Sequence, residues 1–169
     1  MRPIADTGIL IEFGDQIDDD VHAVVLAMDG AVKDAQLHGV TELIPAYASL
    51  FVGYNSLMVS YAMLCEQLEP LLDVQVASDI KPRHWSVPVC YDAEFAPDLG
   101  ELTDVLGKSE SFVTEAHASA VYKVYMYGFA PGYAYLGGVP ACIQMPRKSS
   151  PVMGVAPQSV MVAGSQALI

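Results

Sequence analysis

Between Tyr122 and Gly138 the chain reads YKVYMYGFAPGYAYLGG, and five of its nine tyrosines fall there beside Phe129. Rings interleaved with glycines bear on chemistry because flat apolar walls can then stand next to bare backbone N–H groups, which is how small-molecule pockets are commonly lined. The first half alternates as a strand does, with Lys123, Tyr125, Tyr127 and Phe129 on one face and Tyr122, Val124 and Met126 on the other. Gly128, Pro131-Gly132 and Gly137-Gly138 then supply the restricted and the permissive backbone angles of a tight, shaped loop. The same spacing also suits a buried hairpin whose tyrosines only fill a core.

Two side chains near this stretch could add charge or a proton. His117 falls at the end of an expected helix just before the aromatic strand, where it can lean over a pocket as an acid, a base or a donor. Equally, an imidazole near a helix C-terminus is favourable in itself. Arg147 is one of eight basic residues in a chain with twenty acidic ones, and it sits on a proline-bounded loop. A guanidinium there can clamp a carboxylate or phosphate, or it can be a solvated surface arginine.

Other patterns carry less. His22, His38 and His84 show no i,i+4 pairing and no nearby cysteine, so no metal site is expected. Asp18, Asp19 and Asp20 read as charge at a helix start, which complements the dipole and caps free N–H groups. Gly107-Lys108-Ser109 matches the tail of a phosphate-binding loop. That motif, however, needs a glycine where Leu102 stands and a strand before it, so a helix end followed by a cap is the better account. Ser165 lacks the Gly-x-Ser-x-Gly context of a nucleophile elbow.

The rest of the chain must position these groups. An apolar strand over Gly8–Phe13 precedes a helix from Asp18 to about Leu37, closed by Gly39. Strands Val40–Ile44 and Ser49–Tyr54 follow, then a helix capped by Ser60 that Pro70 ends or kinks, then a strand near Val74–Ala77. That order, β-α-β-β-α-β, is the ferredoxin-like arrangement. Lys81-Pro82-Arg83 reads as a linker dividing residues 1–81 from residues 82–169. Beyond it we expect a strand over Trp85–Tyr91, a capping box Asp98-x-x-Glu101 opening a helix that ends at Gly107, and a helix opened by Ser109 or Ser111. The aromatic strand comes next, and a strand from Val160 to Ala163 closes the pattern.

Composition bounds the partners. The net charge of -12 repels phosphate backbones and anionic membrane surfaces, so neither nucleic acid nor membrane is expected. No signal peptide or membrane-length apolar run is present, which points to a cytoplasmic protein. Cys65, Cys90 and Cys142 are odd in number and widely separated, so reduced thiols are expected.

Five segments in order resemble a known family: Leu10-Ile11-Glu12-Phe13-Gly14-Asp15, Pro45-Ala46-Tyr47-Ala48-Ser49-Leu50, Pro88-Val89-Cys90-Tyr91 with Pro97-Asp98-Leu99, Gly128 to Gly138, and Ala163-Gly164-Ser165-Gln166. The chain is similar to the family variously labelled allophanate hydrolase subunit 1, KipI-like kinase inhibitor and B-type 5-oxoprolinase subunit, also known as the carboxyltransferase subdomain C/D. The resemblance implies an α+β chain with a ferredoxin-like N-terminal domain and a cyclophilin-like β-barrel domain behind it. It implies a subunit of an ATP-dependent amidohydrolase, with 5-oxoproline opened to L-glutamate as the expected reaction. ATP with magnesium acts through the assembled complex, and no tightly bound cofactor is expected in this chain.

The implied partners are a KipA or allophanate hydrolase subunit 2 type protein and a further 5-oxoprolinase subunit, with a second copy of the chain as another. The family's other labels imply two alternatives, a regulatory protein that binds and inhibits a sensor histidine kinase and a degenerate subunit that only assembles. Positions matching the family's pocket motif are His117, Tyr122, Phe129, Pro131, Gly132, Tyr135, Arg147 and Gln166. The resemblance assigns His117 and Arg147 to catalysis and the other six to substrate binding. Two departures stand out: Val152 replaces a second arginine, and the chain stops at Ile169 where family members continue through further strands, so a shortened, incomplete barrel is expected.

Overall fold

Alternation sets the first sheet. Ile9 and Ile11 on one strand and Leu50 and Val52 on another are all fully or almost fully buried, and they stand directly opposite one another as Ile9↔Val52 and Ile11↔Leu50. The computed structural model describes residues 1–76 and 82–169, which divide into two units, Met1–Pro82 and Arg83–Ile169. The expected linker therefore lies partly outside the described residues, at Lys81.

In the first unit, β1 (Arg2–Ile4), β2 (Gly8–Glu12), β3 (Val40–Pro45) and β4 (Ser49–Tyr54) form an antiparallel sheet in the order β1-β2-β4-β3. Helix α1 (Asp19–Ala35) starts where expected, because the Asp18 carboxylate accepts from the N–H groups of Asp20 and Val21 at 2.9 and 3.0 Å. Its Val25, Met28 and Val32 are buried in the same core as the strand residues. The helix ends at Gln36 in the left-handed conformation, three residues before the expected Gly39. Helix α2 (Tyr61–Leu68) is capped by Ser60, and Pro70 sits in a 3-10 turn over Glu69–Leu71.

The ferredoxin-like split β-α-β is thus present, with β4 between β2 and β3. The last expected strand is not: residues 74–76 are not in a strand, and Ala77 lies outside the described residues. The sheet edge beside β2 is taken instead by β1, a hairpin partner in register Arg2↔Leu10. Arg2 donates to Glu12 at 2.9 Å across that pair, and Pro3 is tolerated there because the strand is at an edge.

The second unit holds α3 (Leu99–Leu106), α4 (Glu110–Ser119), β5 (Lys123–Tyr127), β6 (Ala134–Gly137), β7 (Met161–Ala163) and β8 (Gln166–Leu168). Its strands form an antiparallel sheet in the order β5-β6-β8-β7. Among the described residues this sheet is open and does not close on itself as a barrel. Ala134, Leu136 and Ala167 alternate onto the face that packs with Val113 of α4 and with Val139 and Ile143. Among the described residues no helix is long and apolar enough to cross a membrane.

Several expectations here are corrected. The strand over Trp85–Tyr91 is an irregular, mostly exposed segment, since Pro88 cannot donate to a ladder. Asp98 occupies the N-cap position of α3 without capping it; it and Glu101 instead hold the Lys148 ammonium at 2.6 and 3.3 Å. Strand β8, which no sequence pattern announces, returns from β7 through the two-residue turn Gly164-Ser165, with Gly164 at φ +61°. A bulge between Val124 and Met126 interrupts β5, so the expected strict alternation of its side chains flips partway along.

Gly107-Lys108-Ser109 is the joint between two helices. Gly107 is left-handed and donates to Asp104 O and Thr103 O, and the Ser109 hydroxyl accepts from Phe112 N–H to cap α4.

Candidate functional site

The tip of the β5–β6 hairpin is built from two tight turns in sequence. Tyr133 N–H donates to Ala130 O at 3.1 Å across Pro131-Gly132, with Gly132 at φ +80°, which is the type II turn that a Pro-Gly pair specifies. One residue earlier, Ala130 N–H donates to Gly128 O at 2.7 Å, so Phe129 is the centre of a three-residue turn at φ +64°. A bulky residue rarely adopts that conformation, and holding it costs on the order of 1–3 kcal/mol.

The turn projects the Phe129 ring into solvent, where it is 92% exposed. Behind it the rings form a chain: Phe129 to Tyr133 at 5.5 Å and Tyr133 to Tyr135 at 5.3 Å between centroids. The hairpin is thus an aromatic ridge rather than a core filler. Phe129 and Gly132 keep backbone N–H groups with no protein acceptor among the described residues.

Replacing Phe129 by glycine relieves the backbone strain while deleting one ring contact and adding unfolded-state freedom, three effects of about 1 kcal/mol each with opposing signs. Urea unfolding is therefore expected to show the second unit's stability changed by less than about 1 kcal/mol, although a whole aromatic side chain is gone. A loss of several kcal/mol would mean that the ring is structural.

Tyr135 alternates away from the packed face, and so does Gln166 on β8. A cross-strand row runs Lys123↔Gly137↔Gln166↔Ala163. Gly137 has no side chain and Ala163 only a methyl, so Gln166 stands between low neighbours. Gly164 N–H donates to Met145 O at 2.6 Å, tying the following segment to the turn beside Gln166. Arg147 Nη2 then donates to Gln166 Oε1 at 3.4 Å.

Arg147 has no carboxylate partner among the described residues, whereas its neighbour Lys148 is engaged by both Asp98 and Glu101. Those carboxylates raise the Lys148 pKa. They also anchor the loop and leave the guanidinium as its unneutralised cation. Partial burial, with Tyr135 adding to it, raises the Tyr133 pKa, and Arg147 pulls against that rise.

His117 lies in the last turn of α4, half-buried, with Nδ1 2.6 Å from the Tyr91 hydroxyl. Its ring stands 5.3 Å from that of Tyr122, whose hydroxyl donates to the His117 carbonyl at 3.2 Å and so satisfies one of the helix's orphan acceptors. Burial lowers the His117 pKa, keeping the imidazole neutral, and it raises that of Tyr91. Tyr122 is pushed up to about 12 by burial, with Tyr91 adding to it.

A phenol with a folded-state pKa above its unfolded value of 10.0 keeps its proton after the unfolded chain has lost it. Stability is then intact below pH 10 and falls as pH rises towards 12. The ring is only partly buried, so screening by solvent holds the loss to about 1–2 kcal/mol. Tyr122→Phe is expected to flatten alkaline unfolding between pH 10 and 12, and equal slopes in the two proteins would refute this.

The eight sequence-predicted residues thus fall into two groups. Phe129, Pro131, Gly132, Tyr135, Arg147 and Gln166 belong to the ridge and the loop beside it. His117 and Tyr122 sit at the packed side of the sheet, at the end where Tyr122 leads into Lys123 of the row that holds Gln166. Two participants escaped the site assignment. Tyr133 bridges Phe129 and Tyr135, a role that position i, i+2 on the same strand face signals. Tyr91 reaches His117 from an irregular segment whose placement no local pattern reveals. On the ridge side, an exposed guanidinium beside an amide, flat ring walls and free N–H groups can hold a small planar ligand with a carboxylate, and on the packed side a neutral imidazole can exchange a proton.

Comparison with known proteins agrees with the fold. The chain is 34% identical to the B-type subunit of 5-oxoprolinase from Bacillus subtilis over 98% of its own length and 74% of the relative's. It is 32% identical to the corresponding 5-oxoprolinase component of Haemophilus influenzae over 67% of this chain and 53% of that one. The crystal structure of TTHA0988 superposes with a TM-score of 0.79 at 31% identity, covering 96% of this chain and 32% of that chain. The Kluyveromyces lactis urea carboxylase, at 15% identity and a TM-score of 0.76 over 17% of its chain, shares the fold. The chain therefore spans about half of the H. influenzae relative and about a third of TTHA0988. The family described as carboxyltransferase domain, subdomain C and D, matches residues 1–169, and the chain belongs to it.

Proposed function

We propose that this chain is a subunit of an ATP-dependent amidohydrolase that opens the ring of 5-oxoproline to L-glutamate. The observation that carries the reading is the 34% identity to a B-type 5-oxoprolinase subunit along nearly the whole chain. The local chemistry suits the substrate, which is a small lactam ring bearing one carboxylate.

Arg147, with Gln166 beside it, takes the carboxylate. Phe129, Tyr133 and Tyr135 wall the ring, Tyr122 and Pro131 shape the site's two ends, and the free N–H groups of Phe129 and Gly132 face the oxygen that gains charge. His117 supplies the proton that the ring nitrogen takes when its bond to carbon breaks.

A lactam carbonyl is a poor electrophile, and transfer of the ATP γ-phosphoryl group to its oxygen makes the ring carbon attackable. Water then adds, the C–N bond breaks, and the carbonyl oxygen leaves on phosphate while the water oxygen stays on glutamate. ATP with its magnesium is a substrate here, brought in through the assembled complex. The chain's own lookalike of a phosphate loop, Gly107-Lys108-Ser109, is spent on joining α3 to α4. A KipA-type companion subunit and a further 5-oxoprolinase subunit complete the site, and the reaction places the complex in the cytoplasm.

Co-purification with the companion subunit, followed by an ATP-hydrolysis assay, tests the reading. ATP turnover is expected to rise when 5-oxoproline is added. Folded, associated subunits whose ATP turnover ignores 5-oxoproline would rule it out.

A further inference from the structure

The short contact between Tyr91 and His117 decides which ring nitrogen of His117 carries a proton. Either Tyr91 O–H donates to a bare Nδ1, or Nδ1–H donates to the phenol oxygen. Phenols are good donors and weak acceptors, an unprotonated imidazole nitrogen is a strong acceptor, and 2.6 Å is at the short end for such a pair. The second arrangement would also leave the phenolic proton of a partly buried Tyr91 without an acceptor, because Nδ1 is the only hydrogen-bond partner of that hydroxyl among the described residues. An unmade bond of that kind is the costlier choice.

The ring is held from three sides. Tyr91 meets it edge-on at 5.8 Å and 81°, Tyr122 lies tilted against it at 5.3 Å, and the helix fixes its backbone through the bond from Tyr122 to its carbonyl. Nε2 has no protein partner among the described residues.

We infer that Tyr91 is a positioning residue that holds His117 as the Nε2–H tautomer, so that this imidazole meets a ligand as a hydrogen-bond and proton donor. The inference deepens the proposed function, resting for its catalytic meaning on the reading of His117 as the proton source. It specifies the direction of the first transfer. His117 gives its Nε2 proton to the departing ring nitrogen while Nδ1 takes the Tyr91 proton across the short bond, so the imidazole stays neutral and the Tyr91 phenolate is reprotonated from solvent after release. The Nδ1–Tyr91 hydrogen bond persists throughout and only its proton changes sides, the second nitrogen of a functional histidine being commonly tied in this way.

The tautomer can be read on this chain alone, with no substrate or companion, from long-range 1H–15N correlations of labelled histidine. Wild type is expected to show the His117 proton on Nε2 as the dominant species, and Tyr91→Phe to show a mixture of tautomers with the fold intact. A wild-type proton on Nδ1, or a ratio unchanged by Tyr91→Phe, overturns the assignment. In the assembled enzyme, Tyr91→Phe is expected to lower kcat by on the order of tenfold while KM stays within about twofold, part of the usual general-acid contribution. If the tautomer shifts while kcat does not, the assignment to Tyr91 stands and the proton-transfer role of His117 falls.

Discussion

Arg147→Ala is expected to lower kcat/KM for 5-oxoproline in the assembled enzyme by about 10–150-fold, mostly through a raised KM. A charge-assisted contact to a carboxylate contributes roughly 1.5–3 kcal/mol, and each 1.4 kcal/mol is about a factor of ten. The effect falls on binding because the carboxylate is charged in substrate and transition state alike, so its loss is felt equally in both. Arg147→Lys is expected to recover only part, since a point charge keeps attraction but loses the planar fork that also reaches Gln166. Both variants should fold normally, because Arg147 is exposed and its one hydrogen bond among the described residues is a long one at 3.4 Å. An unchanged KM in Arg147→Ala would remove the guanidinium from the site.

His117→Ala is expected to act on the other parameter. Removing a positioned acid typically costs about 10²–10⁴-fold in rate, so kcat should fall into that range with KM little changed. His117→Gln offers a sharper reading, because its amide can present an N–H where Nε2–H stood but cannot surrender a proton. It should preserve ligand affinity without restoring turnover. Equal kcat for wild type and His117→Ala would show that the imidazole only fills the space between Tyr91 and Tyr122.

These two residues also show how far the sequence could be read. Arg147 stood out as a rare cation on a proline-bounded loop, and Lys148 follows it directly. Only the fold shows that Asp98 and Glu101, spaced like a capping box, abandon the helix end to hold Lys148 and leave Arg147 unneutralised. A capping pattern and a long-range ion pair use the same residue types, and nothing local decides between them.

The aromatic stretch was legible as a shaped turn because Pro131-Gly132 specifies its conformation almost alone. Its alternation was misread beyond Val124, since a bulge adds a residue without any obligatory sequence mark. The first sheet was read well where short, mostly apolar runs are bounded by turn residues, as in Gly8–Glu12 and Ser49–Tyr54. It was misread at its edge. A three-residue strand such as Arg2–Ile4 is held by its hairpin partner rather than by its own pattern, and the same is true of Gln166–Leu168. Tyr91 was invisible for a related reason: an irregular segment has no periodicity from which to project a contact 26 residues away.

The most direct test of the central claim is glutamate release from 5-oxoproline by the companion subunits with ATP and magnesium, measured with and without this chain. We predict ATP-dependent release in the complete mixture and none when this chain is left out. Release at the same rate without it, or no release from a complete and folded assembly, would contradict the account.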